Sequence, residues 1–258
     1  LIIPDGIKGA VVMDATANQN LLWDLLSEKS VRIKTTKGAR SYSNVDLYVS
    51  RTTQLGKQSM NLNGQSRSIQ LFKELKRRIS NDSQVLLVCH KDSEHWYASQ
   101  EHDFRNFEVT HWGAIDGKND WQDFDTVVIA GIPDRDRVWA KNPFMAIRGL
   151  QSNEWLQTST KRAFGEIDDI QRGLQASQIT VSILQAINRI RCRRVIDQYG
   201  NCKSSKIYLL IPHGEEGEEI LNGICNEMPL MRLHEWKFTW YDIYSVSYTH
   251  LRAHETPL

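Results

Sequence analysis

Four arginines crowd into six positions, Arg189, Arg191, Arg193 and Arg194, just after Gln185, with Ile187 and Ile190 supplying the apolar side of the same segment. Helical spacing gathers part of this set near one end, where guanidiniums suit an anionic partner. An arginine that reaches a transferring phosphate stabilises the negative charge that develops in the transition state. The segment alone leaves a solvated basic helix face equally open. Asp14 and Asp116 stand near the ends of strand-like runs, where carboxylates can meet a ribose or a metal or simply form turns. His213 with Glu215, Glu216, Glu218 and Glu219 offers acidic ligand types, but it reads as an exposed acidic loop and helix start.

Something must position these groups, and the hydrophobic pattern supplies strands alternating with helices. Residues 10–13 are a short apolar run that reads as a buried strand feeding the polar loop Asp14-Ala15-Thr16-Ala17. Residues 21–26 have helical spacing, and residues 31–35 and 45–49 alternate as strands around a turn region at 37–40. From 66 to 79, Ile69, Phe72, Leu75, Lys76 and Ile79 recur at helical intervals with basic residues outward. Residues 85–89 form a continuous apolar run, as in a parallel strand covered on both faces. Further strands are expected at 107–112, 126–132 and 207–211, with a helix over roughly 179–190. This alternation predicts an α/β layer fold on a mainly parallel sheet with flanking helices, its functional loops at the carboxyl ends of the strands.

The segment from Gln185 to Arg194 resembles motif VI of superfamily 2 helicases, Gln-x-x-Gly-Arg followed by further arginine, with Asn188 standing where the family has glycine. Other pieces follow in that family's order. Asp14-Ala15-Thr16 is similar to motif III, residues 85–91 ending in His90-Lys91 to motif IV, and His111 to Asn119 to motif V. The resemblance covers about residues 10–212 and implies a second RecA-like motor domain over 31–212, a remnant of the first motor domain over 1–30, and a truncated extension over 213–245. It implies that Arg189 with Arg191 or Arg193 supplies an arginine finger, and that Gln185, Asp116, Gly117 and Asn119 face the nucleotide. Asp14 and Thr16 would couple the nucleotide site to the nucleic-acid track, and His90, Lys91, Gly113 and Lys118 would touch the backbone of DNA or RNA. Glycines 113 and 117 would let backbone amides approach phosphates, in contacts independent of base sequence. The arginines are expected to face the mouth of the sheet, near the Asp14 and Gly117 loops.

ATP and Mg2+ are the cofactors this family implies, yet the sequence has no Gly-x-x-x-x-Gly-Lys-Ser/Thr loop to cradle them. Gly56-Lys57-Gln58 and Gly117-Lys118-Asn119 both lack the following Ser or Thr. The expectation is therefore a motor half that is inactive alone and meets a nucleotide held by a first motor domain lying upstream. A helicase-fold interaction module without ATPase activity, or an unrelated α/β nucleotide-binding domain, are the alternatives. Charge is nearly balanced, 32 Lys plus Arg against 31 Asp plus Glu, so any nucleic-acid contact must be local. No apolar run approaches the length of a membrane span, which leads to an expectation of a cytoplasmic protein. Cys89, Cys192, Cys202 and Cys225 form no CxxC pair, so neither a zinc site nor a disulfide framework is expected. The aromatics Trp236, Phe238, Trp240, Tyr241 and Tyr244 read as core rather than as a base-stacking platform. Residues 246–258 are expected to be non-native, because 246–256 resembles translated read-through of a sequencing adapter. His250, His254 and Glu255 are accordingly not expected to be metal ligands.

Overall fold

The computed structural model describes residues 11–26, 31, 33, 39–133, 138–158 and 160–241. Six strands form one sheet that is parallel throughout: β1 (Val45–Thr52), β2 (Gln84–Cys89), β3 (Asn106–His111), β4 (Thr126–Ile129), β5 (Ser205–Pro212) and β6 (Arg232–Glu235), in the order β3-β2-β4-β5-β1-β6. The α/β expectation is met, and the architecture is consistent with a RecA-like domain. Strands β2, β4 and β5 are almost wholly buried, as the continuous runs Val-Leu-Leu-Val, Thr-Val-Val-Ile and Ile-Tyr-Leu-Leu-Ile require when both faces are covered. Register is set by pairs such as Val88 with Ile129 and Leu209 with Ile129.

The helices are α1 (Leu22–Leu25), α2 (Lys57–Leu62), α3 (Gly64–Arg78), α4 (Glu94–Ala98), α5 (Lys141–Arg148), α6 (Asn153–Gln157), α7 (Ile170–Ile187) and α8 (Glu215–Glu227). Parallel crossovers are right-handed, so connections that run toward opposite edges must lie on opposite faces. The β1-to-β2 and β2-to-β3 connections run one way and carry α2, α3 and α4. The β4-to-β5 and β5-to-β6 connections run the other way and carry α7 and α8. The packing follows the rule, with α3 against α4 and α7 against α8.

Helix α7 starts where the Asp169 carboxylate accepts hydrogen bonds from the backbone N–H groups of Gln171 and Arg172. It joins two apolar cores. Its first turns place Ile170 and Leu174 in a satellite core with Leu25, Ala140 and Phe144, where the Phe144 ring stacks on Trp155 at 5.1 Å. Its later turns place Ile179, Ile183, Leu184 and Ile187 in the main core against the sheet.

Several sequence expectations are corrected. Residues 11–13 form no strand, and Val11 and Met13 are more than 90% exposed; Ala10 lies outside the described residues. Val31 and Ile33 are likewise exposed and in no strand, and the rest of the stretch expected there lies outside the described residues, as do Lys37 and Gly38 of the turn region. Only a partner surface or a strand neighbour makes such apolar alternation form a ladder, and the described residues provide neither. In α3, Phe72 and Leu75 are buried, but Ile69 is 53% exposed while the basic residue Arg67 is fully buried. The sheet does not stop at 212: β6, reached through α8, extends it by pairing with β1 through Asp46–Arg232 to Val49–Glu235. The Arg232 guanidinium holds the Asp46 carboxylate through two contacts of 2.8 Å, and His234 adds one of 2.7 Å. Trp236 and Trp240 are buried in the main core, as read, whereas Tyr241 is exposed; Tyr244 and the tail from 246 lie outside the described residues. Among the described residues no helix is long and apolar enough to cross a membrane.

Candidate functional site

The arginines expected at the mouth lie at the amino-terminal edge of the sheet. Helix α7 ends at Ile187, and the chain turns through a 3-10 segment, Arg191–Arg193, before entering β5 from its amino end. The Arg191 backbone N–H donates to Phe124 O at 3.1 Å, and its Nε donates to Ser204 O at 2.6 Å. Phe124 and Ser204 directly precede β4 and β5, which fixes the location. Arg194 pairs with Asp123 at 3.1 Å. Arg193 Nη1 donates to Asn119 Oδ1 at 2.6 Å, and Arg189 Nη1 donates to Lys118 O at 2.9 Å. The segment therefore closes on the Gly117 loop, as expected, but away from the carboxyl-edge mouth. The reason is connectivity: a helix that feeds a parallel strand ends at that strand's amino end.

Between Gly113 and Phe124 the chain returns from the end of β3 to the start of β4. Ile115 and Trp121 are buried and pin it to the core, while residues 116–120 are exposed. Gly113 and Gly117 have φ of +93° and +73°, a left-handed conformation that glycine adopts without a Cβ penalty. Asp116 is exposed, Gln185 is exposed on the last turn of α7, and the Lys118 ammonium lies 5.6 Å from the Trp121 ring centre. The Nε of Arg189 is buried and has no hydrogen-bond partner among the described residues.

His90, Lys91 and Gly113 gather at the opposite, carboxyl edge. Here β2 and β4 are neighbours whose connections leave in opposite directions, the crevice where open α/β sheets take ligands. The His90 ring is buried there, its Nε2 3.1 Å from Leu55 O in the loop after β1. A Cβ on Gly131, at the end of β4, would sit 3.0 Å from that ring, and the φ of +116° also calls for glycine. The Trp112 indole N–H donates to Gly131 O at 3.2 Å. Lys91 is exposed, and Lys57 reaches Asp92 at 3.1 Å. His111 and Glu94 pair at 2.9 Å on the same rim.

Asp14 and Thr16 form a third group that touches neither edge cluster. The Asp14 carboxylate accepts from Thr16 N and Oγ1, both at 2.8 Å, from Trp23 Nε1 at 2.8 Å and from Asn20 at 3.3 Å. Burial pushes this carboxyl up, but the four donors outweigh it and hold the group below its ordinary range. The loop docks on the middle of α7, where Ser177 Oγ donates to Gln19 O at 2.6 Å and Gln178 reaches Asn20.

No group of three or more His, Cys, Asp or Glu side chains among the described residues is placed to hold a metal ion. The cysteines are free, and burial pushes the Cys192 thiol up to about 12. Sequence reasoning missed Arg67, Gln54 and Gly131. An arginine in an amphipathic basic helix gives no sign that it points inward, whereas Gly131, directly after a buried strand, was a readable punctuation mark. This architecture defines the chain as a three-layer α/β protein with an all-parallel sheet. Compared with family models, with curated proteins and with solved structures, the chain matches none.

Proposed function

We propose that this chain acts as the second motor domain of an ATP-dependent nucleic-acid helicase or translocase. Its arginine rim would meet a nucleotide held by a partner motor domain that carries the phosphate loop, and its carboxyl edge would follow the backbone of DNA or RNA. The observation that carries this reading is the meeting of two segments more than 70 residues apart, Arg189 with Lys118 and Arg193 with Asn119. Among these arginines Arg189 best suits the finger, because it stands at the arginine of the Gln-x-x-Gly-Arg pattern and, among the described residues, its guanidinium is held only by a neutral carbonyl, Lys118 O, in an exposed contact. Asn119, Gly117, Asp116 and Gln185 border the same rim. ATP with Mg2+ would supply the cleaved phosphoanhydride; this chain's part is to place positive charge beside it.

The alternative is a binding module of the same fold without ATPase activity. The arginines favour it, since Arg189, Arg191, Arg193 and Arg194 each already donate to an acceptor in their own chain. Two measurements separate the readings. The chain alone is expected to bind a labelled single-stranded oligonucleotide with affinity that falls steeply with salt, and to show no ATP turnover. Joined to a motor domain that bears the phosphate loop, it is expected to support hydrolysis that Arg189→Ala lowers on the order of 10³-fold. Full turnover in that variant would leave only the binding-module reading, and turnover by the chain alone, lost in Arg189→Ala, would show that it holds its own nucleotide.

A further inference from the structure

We infer that Gln54, clamped by the buried Arg67, is a donor of the carboxyl-edge crevice that contacts a phosphate oxygen of single-stranded nucleic acid. This rests on the nucleic-acid reading above. Gln54 is one of two non-glycine residues with positive φ among the described residues, at +58°. A glutamine pays strain for that backbone and persists in it only where its surroundings over-determine it.

Arg67 is what over-determines it. Its guanidinium is fully buried, and it donates from Nη1 to Gln54 O at 2.8 Å and from Nη2 to Gln54 Oε1 at 3.0 Å. The Trp240 ring lies beneath the same guanidinium, 5.4 Å from Cζ to the ring centre. Ser59 Oγ adds a second hydrogen bond to Gln54 Oε1 at 3.1 Å. Arginine can only donate, so the amide orientation is settled by chemistry: oxygen faces Arg67 and Ser59, and the NH2 group faces the other way. Gln54 itself is exposed, so a strained backbone and a buried cation together present two N–H donors at the rim.

The next residue, Leu55, places its carbonyl on His90, and the loop thereby spans the β2/β4 switch point. Lys57 and Lys91 stand exposed on the same rim. Donors and cations with Gly131 beneath them suit an acceptor-rich anionic strand, which side-chain amides and lysines hold through phosphate oxygens.

The test is Gln54→Glu. A glutamate keeps an oxygen for Arg67 and Ser59, so the thermal midpoint should hold, while the outward donor becomes an anion. Affinity for a labelled single-stranded oligonucleotide at low salt is expected to fall on the order of tenfold or more. Unchanged oligonucleotide affinity in the folded variant overturns this inference alone. ATP binding by the unsubstituted chain that Gln54→Glu abolishes while oligonucleotide affinity stays unchanged assigns the donor to a free nucleotide and overturns it too. Failure of the unsubstituted chain to bind the oligonucleotide overturns the nucleic-acid reading and this inference with it.

Discussion

Asp14 shows how one side chain can carry a loop. Its carboxylate organises residues 14–23 through four donors, and that loop in turn caps the middle of α7. Asp14→Ala is expected to cost about 2 kcal/mol in chemical denaturation, because hydrogen bonds to a charged acceptor are lost together. The group's folded pKa lies below its unfolded value, so its stabilisation is present above about pH 4 and fades as pH falls through the lower folded value. Titration of the unfolding midpoint should show this acid limb, and Asp14→Ala should flatten it. Arg191 is a structural counterpart: Arg191→Ala should lower stability by about 1 kcal/mol through the lost bond to Ser204 O, while oligonucleotide affinity stays unchanged. At this scale the sequence revealed residue types but not partners. The pattern around Arg189 was visible as charge density, yet which guanidiniums are spent on Asn119, Asp123 and Ser204 depends on the loop returning from β3 and on the loop leading into β5. Arg67 was illegible, because burial of a basic residue in α3 is decided by Gln54 and Trp240, neither of which helical periodicity registers.

Elements were far more legible, and the exceptions have a common cause. The buried strands β2, β4 and β5 and the outward alternation of β1 come directly from local apolar patterns, as does the core half of α7. Strand β6, with its Arg-Leu-His-Glu sequence, has no such pattern and exists because Asp46 on β1 binds Arg232 and His234. Residues 11–13 have the pattern and no ladder, which makes the same point in reverse. Glycine at the start of α8 was readable only as a loop residue, but packing makes it obligatory. A Cβ on Gly217 would meet Pro212 O at 2.0 Å, backbone that cannot swing aside because β5 is locked between β4 and β1. Gly217→Ala should therefore push α8 off the sheet and cost about 3 kcal/mol, read as a lower denaturation midpoint. A cost below the error of that measurement would mean that α8 is not seated as described.

At the scale of the molecule the described residues form two cores sharing one helix, and they differ in how they can open. The main core is woven by parallel pairing between segments distant in sequence, so its central amides can exchange only when the whole sheet comes apart. The satellite core holds Leu25, Ala140, Phe144, Ile170 and Leu174, with short helices α1, α5 and α6 around it and, among the described residues, no strand to lock it. Its closure depends on side-chain packing, including the Phe144–Trp155 stack and the Arg162 guanidinium 5.1 Å from the Trp155 ring centre. Among the described residues few long-range backbone hydrogen bonds oppose its opening, so it belongs to the low-stability end of the fold. Helix α7 reports on both cores at once. Hydrogen exchange along it should form a gradient: amides over 173–176, above the satellite core, should exchange through a local opening, whereas those over 183–187 should exchange with β4 and β5. Phe144→Ala should steepen the gradient by freeing the first turns, with a local cost of about 3 kcal/mol that leaves the sheet amides unmoved. Uniform protection from 173 to 187, shifting as a block in that variant, would mean one cooperative unit and would remove the basis for treating the satellite core as a separate unit.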